Sequence, residues 1–491
     1  MGNKVRKHKA GILMPISSLP NKYGIGSFGK KAFDFVDFLK DSKQSYWQIL
    51  PLGQTSYGDS PYQSPSINAG NPYFVDLDIL YEEGLLTRKE LKEAIHKTKK
   101  VDYGWLFENR YLTLRKAFSR FTKNNEYKSF IKKNPWVIDY GLFISLKEKN
   151  RNVSWNKWPS NEKKYSSAIK QKNIYKDEID FWSFIQFEFF KQWSNLKKYA
   201  NDNQIEIIGD MPIYVAYDSV DVWKDKKNYL LDKNNNPTVV AGCPPDYFSE
   251  DGQLWGNPIY NYNHMKQNGY EWWIERLKFN LNLYDIVRID HFRGFAGYYT
   301  VPYGDKTARN GKWKKGKGKE IFTEIKNKVK DVKVIAEDLG YIDKPVEDLI
   351  DFCGFPGMKV LQFAFTDDGD KYLPRNFINS NCVVYTGTHD SDCSLSWIKR
   401  MSKTTKKKFI NETKMFINKS DVERFIKLAM NSIANYAIIP LQDYIELSNR
   451  EGRVNIPSTS TGNWQWILDD KAINNKLIRK IKTITESSGR G

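Results

Sequence analysis

The sequence predicts an α/β protein, a (β/α)8 (TIM) barrel with mostly helical and loop insertions on its C-terminal face. Three observations predict it. Short β-rich runs recur along the chain with helical stretches between them. Several of these runs end in a carboxylate. The length of 491 residues suits one barrel enlarged by insertions. The most informative stretch is 284–294, where Ile286, Val287 and Ile289 form an apolar run that ends among Arg288, Asp290, His291 and Arg293. A strand that delivers a carboxylate, an imidazole and two guanidiniums at its C-terminal end is poorly explained by packing.

In chain order, residues 10–14 read as a first strand. Phe28, Ala32, Phe35, Val36 and Leu39 then share one face of a helix, and 46–52 reads as a second strand, completing a βαβ unit. The polar loop 53–72 carries Tyr57, Asp59, Tyr62, Gln63 and Asn68, which suit hydrogen bonding to a polyhydroxylated ligand, although a plain connector reads equally well. Residues from about 80 to 175 are rich in Lys and Glu with helical periodicity, and read as a helical insertion subdomain within a single catalytic unit spanning 1–491. A strong helix at about 178–200 leads into a strand over 204–210. A polar, aromatic loop insertion follows at about 218–270, then a helix at about 270–283 that feeds the 286–290 strand. Further strands are expected at 332–337, 358–363 and 381–390, and helical patterns fill the chain to about 435.

Composition narrows the classes. Hydrophobic and charged fractions of 40% and 27% are those of an ordinary globular protein. A net charge of +19 raises nucleic-acid binding, but the lysines are scattered. The densest run, 312–319, is Gly-rich, and no nucleic-acid motif accompanies it; a solvated lysine surface is expected instead. Cys243, Cys353, Cys382 and Cys393 are widely spaced, which argues against a disulfide scaffold or a structural zinc site. The N-terminus shows neither a signal peptide nor a membrane span, so a cytoplasmic location is the default expectation.

Four of the predicted strands end in carboxylates, Asp210, Asp290, Glu337 and Asp390. Parallel barrel strands point their C-terminal ends at one face, so these four acids should converge. Clustered acids can hold Mg²⁺ or Ca²⁺, or divide acid and base roles in glycoside cleavage. The neighbours favour the second. Arg288 would keep Asp290 ionised, as a nucleophile requires. Glu337, after apolar Val334, Ile335 and Ala336, would hold its proton and act as general acid.

Seven motifs stand in order along the chain: 18–26, Ser60-Pro-Tyr-Gln-Ser64 with Ala69-Gly-Asn-Pro72, Gly209-Asp-Met-Pro-Ile-Tyr-Val215, the loop 244–258, Arg288-Ile-Asp-His-Phe-Arg-Gly294, Ala336-Glu-Asp-Leu-Gly340 and Thr388-His-Asp390. Together they resemble the 4-α-glucanotransferase (amylomaltase, disproportionating enzyme) family, glycoside hydrolase family 77 of the α-amylase-like clan, from about residue 10 to about 467. The resemblance implies transfer of α-1,4-glucan segments to a maltooligosaccharide or glucose acceptor, by a retaining double displacement through a covalent glucosyl-enzyme. It implies Asp290 as nucleophile, Glu337 as general acid/base and Asp390 as the group that stabilises the transition state. Arg288, His291 and His389 would support them, and Asp210 and Tyr62 would contact the same glucose. Tyr247, Phe248 and Trp255 would form a lid over the substrate and acceptor sites, and Asn257 and Pro258 would join them in binding substrate. No metal, cofactor, nucleic acid or membrane partner is implied. An α-glucan hydrolase of the same clan is the alternative. The chain carries Ser391-Asp392-Cys393 where the family often has Asn-Asp-Thr, and 455–464 looks like a family variant. No carbohydrate-binding region precedes residue 10, which resembles the shorter bacterial type.

Overall fold

The computed structural model describes residues 8–245, 249–340 and 342–491. Its strands are β1 (Lys9–Leu13), β2 (Tyr46–Gln48), β3 (Glu206–Pro212), β4 (Val239–Cys243), β5 (Gln253–Pro258), β6 (Ile286–Asp290), β7 (Gly297–Pro302), β8 (Lys312–Lys315), β9 (Val334–Ala336), β10 (Gly357–Val360), β11 (Cys382–Tyr385) and β12 (Tyr436–Pro440). Eight of them close a barrel in the order β1-β12-β11-β10-β9-β6-β3-β2, every pair parallel. The expected (β/α)8 class is the observed one.

Side chains alternate across a strand, so every second residue enters the barrel. Leu13, Tyr46, Ile208, Ile286, Ile335, Met358, Val383 and Ile438 pack together as the inner core. Two residues further along their strands, Asp210 follows Ile208 and Arg288 follows Ile286. The β3–β6 register pairs Ile208 with Ile286, Asp210 with Arg288, and Pro212 with Asp290. One apolar layer thus sets a layer of ionic groups directly above it. The outward-facing Gly209 between them has no room for a side chain, since a Cβ there would lie 2.1 Å from the Tyr284 ring.

Several boundaries differ from expectation. β2 stops at Gln48, ahead of Pro51, which has no N–H to continue a ladder. β3 runs two residues past Asp210, β9 stops one residue before Glu337, and Asp390 lies five residues beyond β11 in a loop. The expected strand at 358–363 turns into a 3₁₀ helix after Val360. The eighth strand, β12, is absent from the sequence-based expectation; it is a short apolar run buried on both faces, which carries no period.

Residues 80–175 contain the helices Tyr103–Arg120, Asn125–Lys133 and Trp136–Lys149 and no strand among the described residues. They pack against the helix Lys176–Asp202 through aromatic contacts such as Phe121–Phe184, 4.8 Å between centroids. The region 218–270, expected as loop, contains β4 and β5. These join β7 and β8 in a four-stranded antiparallel sheet of order β5-β4-β7-β8. The lysine-rich run at 312–319 begins with β8, the fully exposed edge of that sheet, where lysines discourage pairing with another chain. Among the described residues no helix is long and apolar enough to cross a membrane.

Candidate active site

The centre of the site is Arg288, whose side chain is 3% exposed. Its Nη1 donates to both oxygens of Asp210, at 2.8 and 2.7 Å, and to Asp290 Oδ1 at 3.1 Å. Asp210 is fully enclosed, whereas the Asp290 side chain, last in β6, keeps 29% of its exposure. One cation therefore serves two carboxylates unequally. Burial pushes Asp290 well above the usual carboxylate range; Arg288 opposes this, while Asp210, Glu337 and Asp390 add to it. Arg288 acts in the expected direction, toward the ionised form of Asp290, but its shorter contacts go to Asp210.

β6 ends abruptly because His291 takes a left-handed conformation, φ +51°, uncommon for a non-glycine residue. The His291 N–H donates to Glu337 Oε2 at 2.6 Å, and the Leu339 N–H donates to Oε1 at 2.9 Å. Glu337 is buried, and burial raises its pKa against the opposing pull of Arg288 and the two amides. That is the direction a general acid requires. Burial also drives His291 down to about 3 and lowers His389, so both imidazoles are neutral at physiological pH.

From the loop after β2, the Tyr62 hydroxyl donates to Asp210 Oδ2 at 2.8 Å and lies 2.9 Å from His389 Nε2. A hydroxyl that donates to Asp210 must accept from His389, which places the His389 proton on Nε2. The Tyr62 and His389 rings stack at 5.5 Å, and Trp464 packs at 5.7 Å from the Tyr62 ring. Asp390 lies 3.3 Å from His389 Nε2 and accepts a 2.6 Å hydrogen bond from Asn455 Nδ2. Asp210, Asp290, Glu337, Asp390, Arg288, His291, His389 and Tyr62 therefore gather at one end of the barrel.

Trp255 of β5 meets the His291 ring edge-on at 4.7 Å. Asn257 is buried and uses both ends of its amide, accepting from Gln63 Nε2 at 3.2 Å and donating to Val215 O at 2.8 Å. Pro258, also buried, closes β5 opposite Val240. Tyr247 and Phe248 lie outside the described residues. Among the described residues no group of three His, Cys, Asp or Glu is placed to hold a metal.

Reasoning from strand ends missed the groups of the C-terminal segment 449–464. Asn455 and Trp464 reach the site from beyond the last barrel strand, where no carboxylate or strand-end signal marks them. Of the two departures, Ser391 is absorbed within its own turn and Cys393 meets the C-terminal segment. Ser391 Oγ accepts from the Thr388 N–H at 3.0 Å and closes the turn that carries Asp390. The Cys393 N–H donates to Asn449 Oδ1 at 2.8 Å, and burial pushes its thiol up to about 12.

Comparison with known proteins gives a consistent result. The profile of the family described as 4-alpha-glucanotransferase matches residues 14–471. A 4-alpha-glucanotransferase of Clostridium butyricum is 48% identical over 97% of this chain and 100% of its own length. One from Streptococcus pneumoniae is 44% identical over 94% and 93%. The solved amylomaltase of Streptococcus agalactiae, in complex with acarbose, superposes with a TM-score of 0.95 at 38% identity, covering 99% of this chain and 100% of that one. The chain belongs to the 4-alpha-glucanotransferase family, glycoside hydrolase family 77.

Proposed function

We propose that the protein is a 4-α-glucanotransferase that moves α-1,4-glucan segments from a donor to a maltooligosaccharide or glucose acceptor. The observation that carries this reading is the placement of Asp290, last in β6, and Glu337, first after the neighbouring β9, beside one buried guanidinium. Retaining glycosidases hold two such carboxyls about 5–5.5 Å apart across the scissile bond.

Glu337, whose burial favours the protonated form, gives its proton to the glycosidic oxygen as the bond to the leaving glucan breaks. Asp290 attacks the anomeric carbon as the carboxylate and forms the covalent glucosyl-enzyme. Glu337, now ionised and braced by the amides of His291 and Leu339, takes the proton from the 4-hydroxyl of the acceptor. That oxygen displaces Asp290 and restores both groups. His389 and Asp390 are placed to hydrogen-bond sugar hydroxyls near the reacting ring. Asp210 keeps Arg288 oriented between itself and Asp290. Transfer outruns hydrolysis when sugar fills the acceptor side during the life of the intermediate.

Incubation with maltotriose tests the reading. Glucose should appear together with a ladder of maltooligosaccharides longer than the substrate, and Asp290→Asn should abolish both. Glucose and maltose alone, with nothing longer than maltotriose, would make the protein an α-glucan hydrolase of the same clan.

A further inference from the structure

Asp390 stands apart from the other acids. It lies in a loop, not a strand, and its side chain is 42% exposed. No backbone ladder fixes it, and its carboxylate is free to rotate about two bonds unless something holds it. The segment 449–455, which comes after the last barrel strand, surrounds it with donors. Asn455 Nδ2 donates to Asp390 Oδ1 at 2.6 Å, and the Asn455 N–H donates to the carbonyl of His389 at 3.2 Å. Arg453 Nη2 donates to the Asp390 carbonyl at 2.9 Å, and Arg453 Nε to the Asn455 carbonyl at 2.6 Å. Arg453 is itself anchored on Asp392, which also binds Arg400 and accepts from Asn449 Nδ2 at 2.7 Å.

We propose that Asn455 is a positioning residue for Asp390, held in place by the Arg453–Asp392 pair. This rests on the reading of Asp390 as a group that hydrogen-bonds the sugar in the transition state. The residue type fits the task. An amide N–H orients a carboxylate without neutralising it, whereas a lysine or arginine would draw off the charge that sugar hydroxyls need to meet. With Oδ1 taken by Asn455 and Oδ2 facing His389, each oxygen keeps a lone pair for a hydroxyl. The bonds to both main-chain carbonyls, of His389 and of Asp390, fix the turn itself, so the side-chain bond acts on the carboxylate alone. Asp392, the one position of Ser391-Asp392-Cys393 that matches Asn-Asp-Thr, is the anchor of this clamp.

The test uses the full chain and the ranking of three variants in maltotriose disproportionation. Asn455→Ala should lower kcat about tenfold with KM nearly unchanged, since one charge-assisted hydrogen bond is removed. Asn455→Asp keeps the shape but replaces the donor with a second carboxylate against Asp390, and should lose about a hundredfold. A role in loop packing alone reverses this order, with the isosteric Asp tolerated and Ala damaging; that order would overturn the proposal. In the Asp390→Asn background the further loss from Asn455→Ala should vanish, and full additivity would also overturn it. Should Asn455→Asp fail to fold, the kcat–KM split of the Ala variant and this double-mutant comparison decide. If Asp390→Asn itself remains fully active, the reading of the site fails. If Asp390→Asn is silent while both Asn455 variants match the native enzyme, only the present inference fails.

Discussion

Arg288 is the group whose removal should change the site most. All three of its contacts to Asp210 and Asp290 come from one nitrogen, Nη1. The site therefore uses the charge of the guanidinium rather than its two-pronged fork. Arg288→Met leaves two carboxylates facing each other in a buried setting. A unit charge pair about 4 Å apart interacts by about 4 kcal/mol at an effective dielectric near 20, so Asp290 should rise by about two to three pH units. Asp290 already lies above its ordinary value through burial. Activity that needs its ionised form is lost as pH falls through its pKa, so a further rise moves the acid limb of the kcat/KM profile to higher pH. At pH 7 the loss should be about a thousandfold. The melting deficit against the native chain should widen with pH, because the ionised carboxylates are what the cation stabilises. Arg288→Lys keeps a point charge and should lose only about tenfold, a smaller loss than an interchange at a bidentate site would bring. The assay is maltotriose disproportionation from pH 4.5 to 8.5 with parallel thermal melts. An Arg288→Met variant within tenfold of native, or one with an unmoved acid limb, refutes the reasoning.

Three other expectations follow from the same geometry. Asp290→Asn should melt above the native chain at pH 7, because a carboxylate whose folded pKa is raised weighs against the fold once ionised; the gain should fade as pH approaches the unfolded Asp value of about 3.9, measured by calorimetry across pH. Glu337→Gln should stall after the first step with an α-maltosyl fluoride donor, whose leaving group needs no proton, and peptide mass spectrometry should find a maltosyl adduct on Asp290. Gly209→Ala drives a methyl into the Tyr284 ring and should lower stability by about 1–3 kcal/mol in urea titration, with activity falling because Asp210 is the next residue.

The barrel was legible because its strands are short apolar runs punctuated by acids, and the (β/α)8 class needs little more than their repetition. β12 escaped because Tyr436-Ala-Ile-Ile-Pro440 is too brief and too evenly apolar to show a period, and its pairing with β1 closes the barrel across some 427 residues of sequence, as the register Lys9–Tyr436 shows. Asp290 and Asp210 were found because each lies at or close to the C-terminal end of one of the paired strands β6 and β3. Glu337 and Asp390 were found for a less accurate reason, since neither lies in a strand; chain proximity to β9 and β11 was enough. The sheet of β4, β5, β7 and β8 was hidden by its composition, as Pro, Gly and Asn punctuate the 218–270 region and two of the six residues of β5 and all of β8 lie open to solvent. Asn455 could not be found by chemistry at all, because a single amide in a polar segment carries no pattern until the fold brings it to Asp390.

The unequal sharing of Arg288 also bears on reactivity. A carboxylate gripped at short range by a guanidinium is stabilised as an anion and weakened as a nucleophile. Here the closest grip falls on Asp210, whose side chain is sealed in the barrel. Asp290 has the longer contact and the open face, so it retains charge density for attack while the same cation still opposes its protonation. Exchanging these distances, with Arg288 close to Asp290 and far from Asp210, would leave a fully buried carboxylate uncompensated and a well-solvated ion pair at the surface of the cleft. The pleat forbids that exchange: Asp210 and Arg288 are direct neighbours in the β3–β6 register, whereas Asp290 lies one inward step further along. The strand that presents the proposed nucleophile thus also limits how strongly it is neutralised.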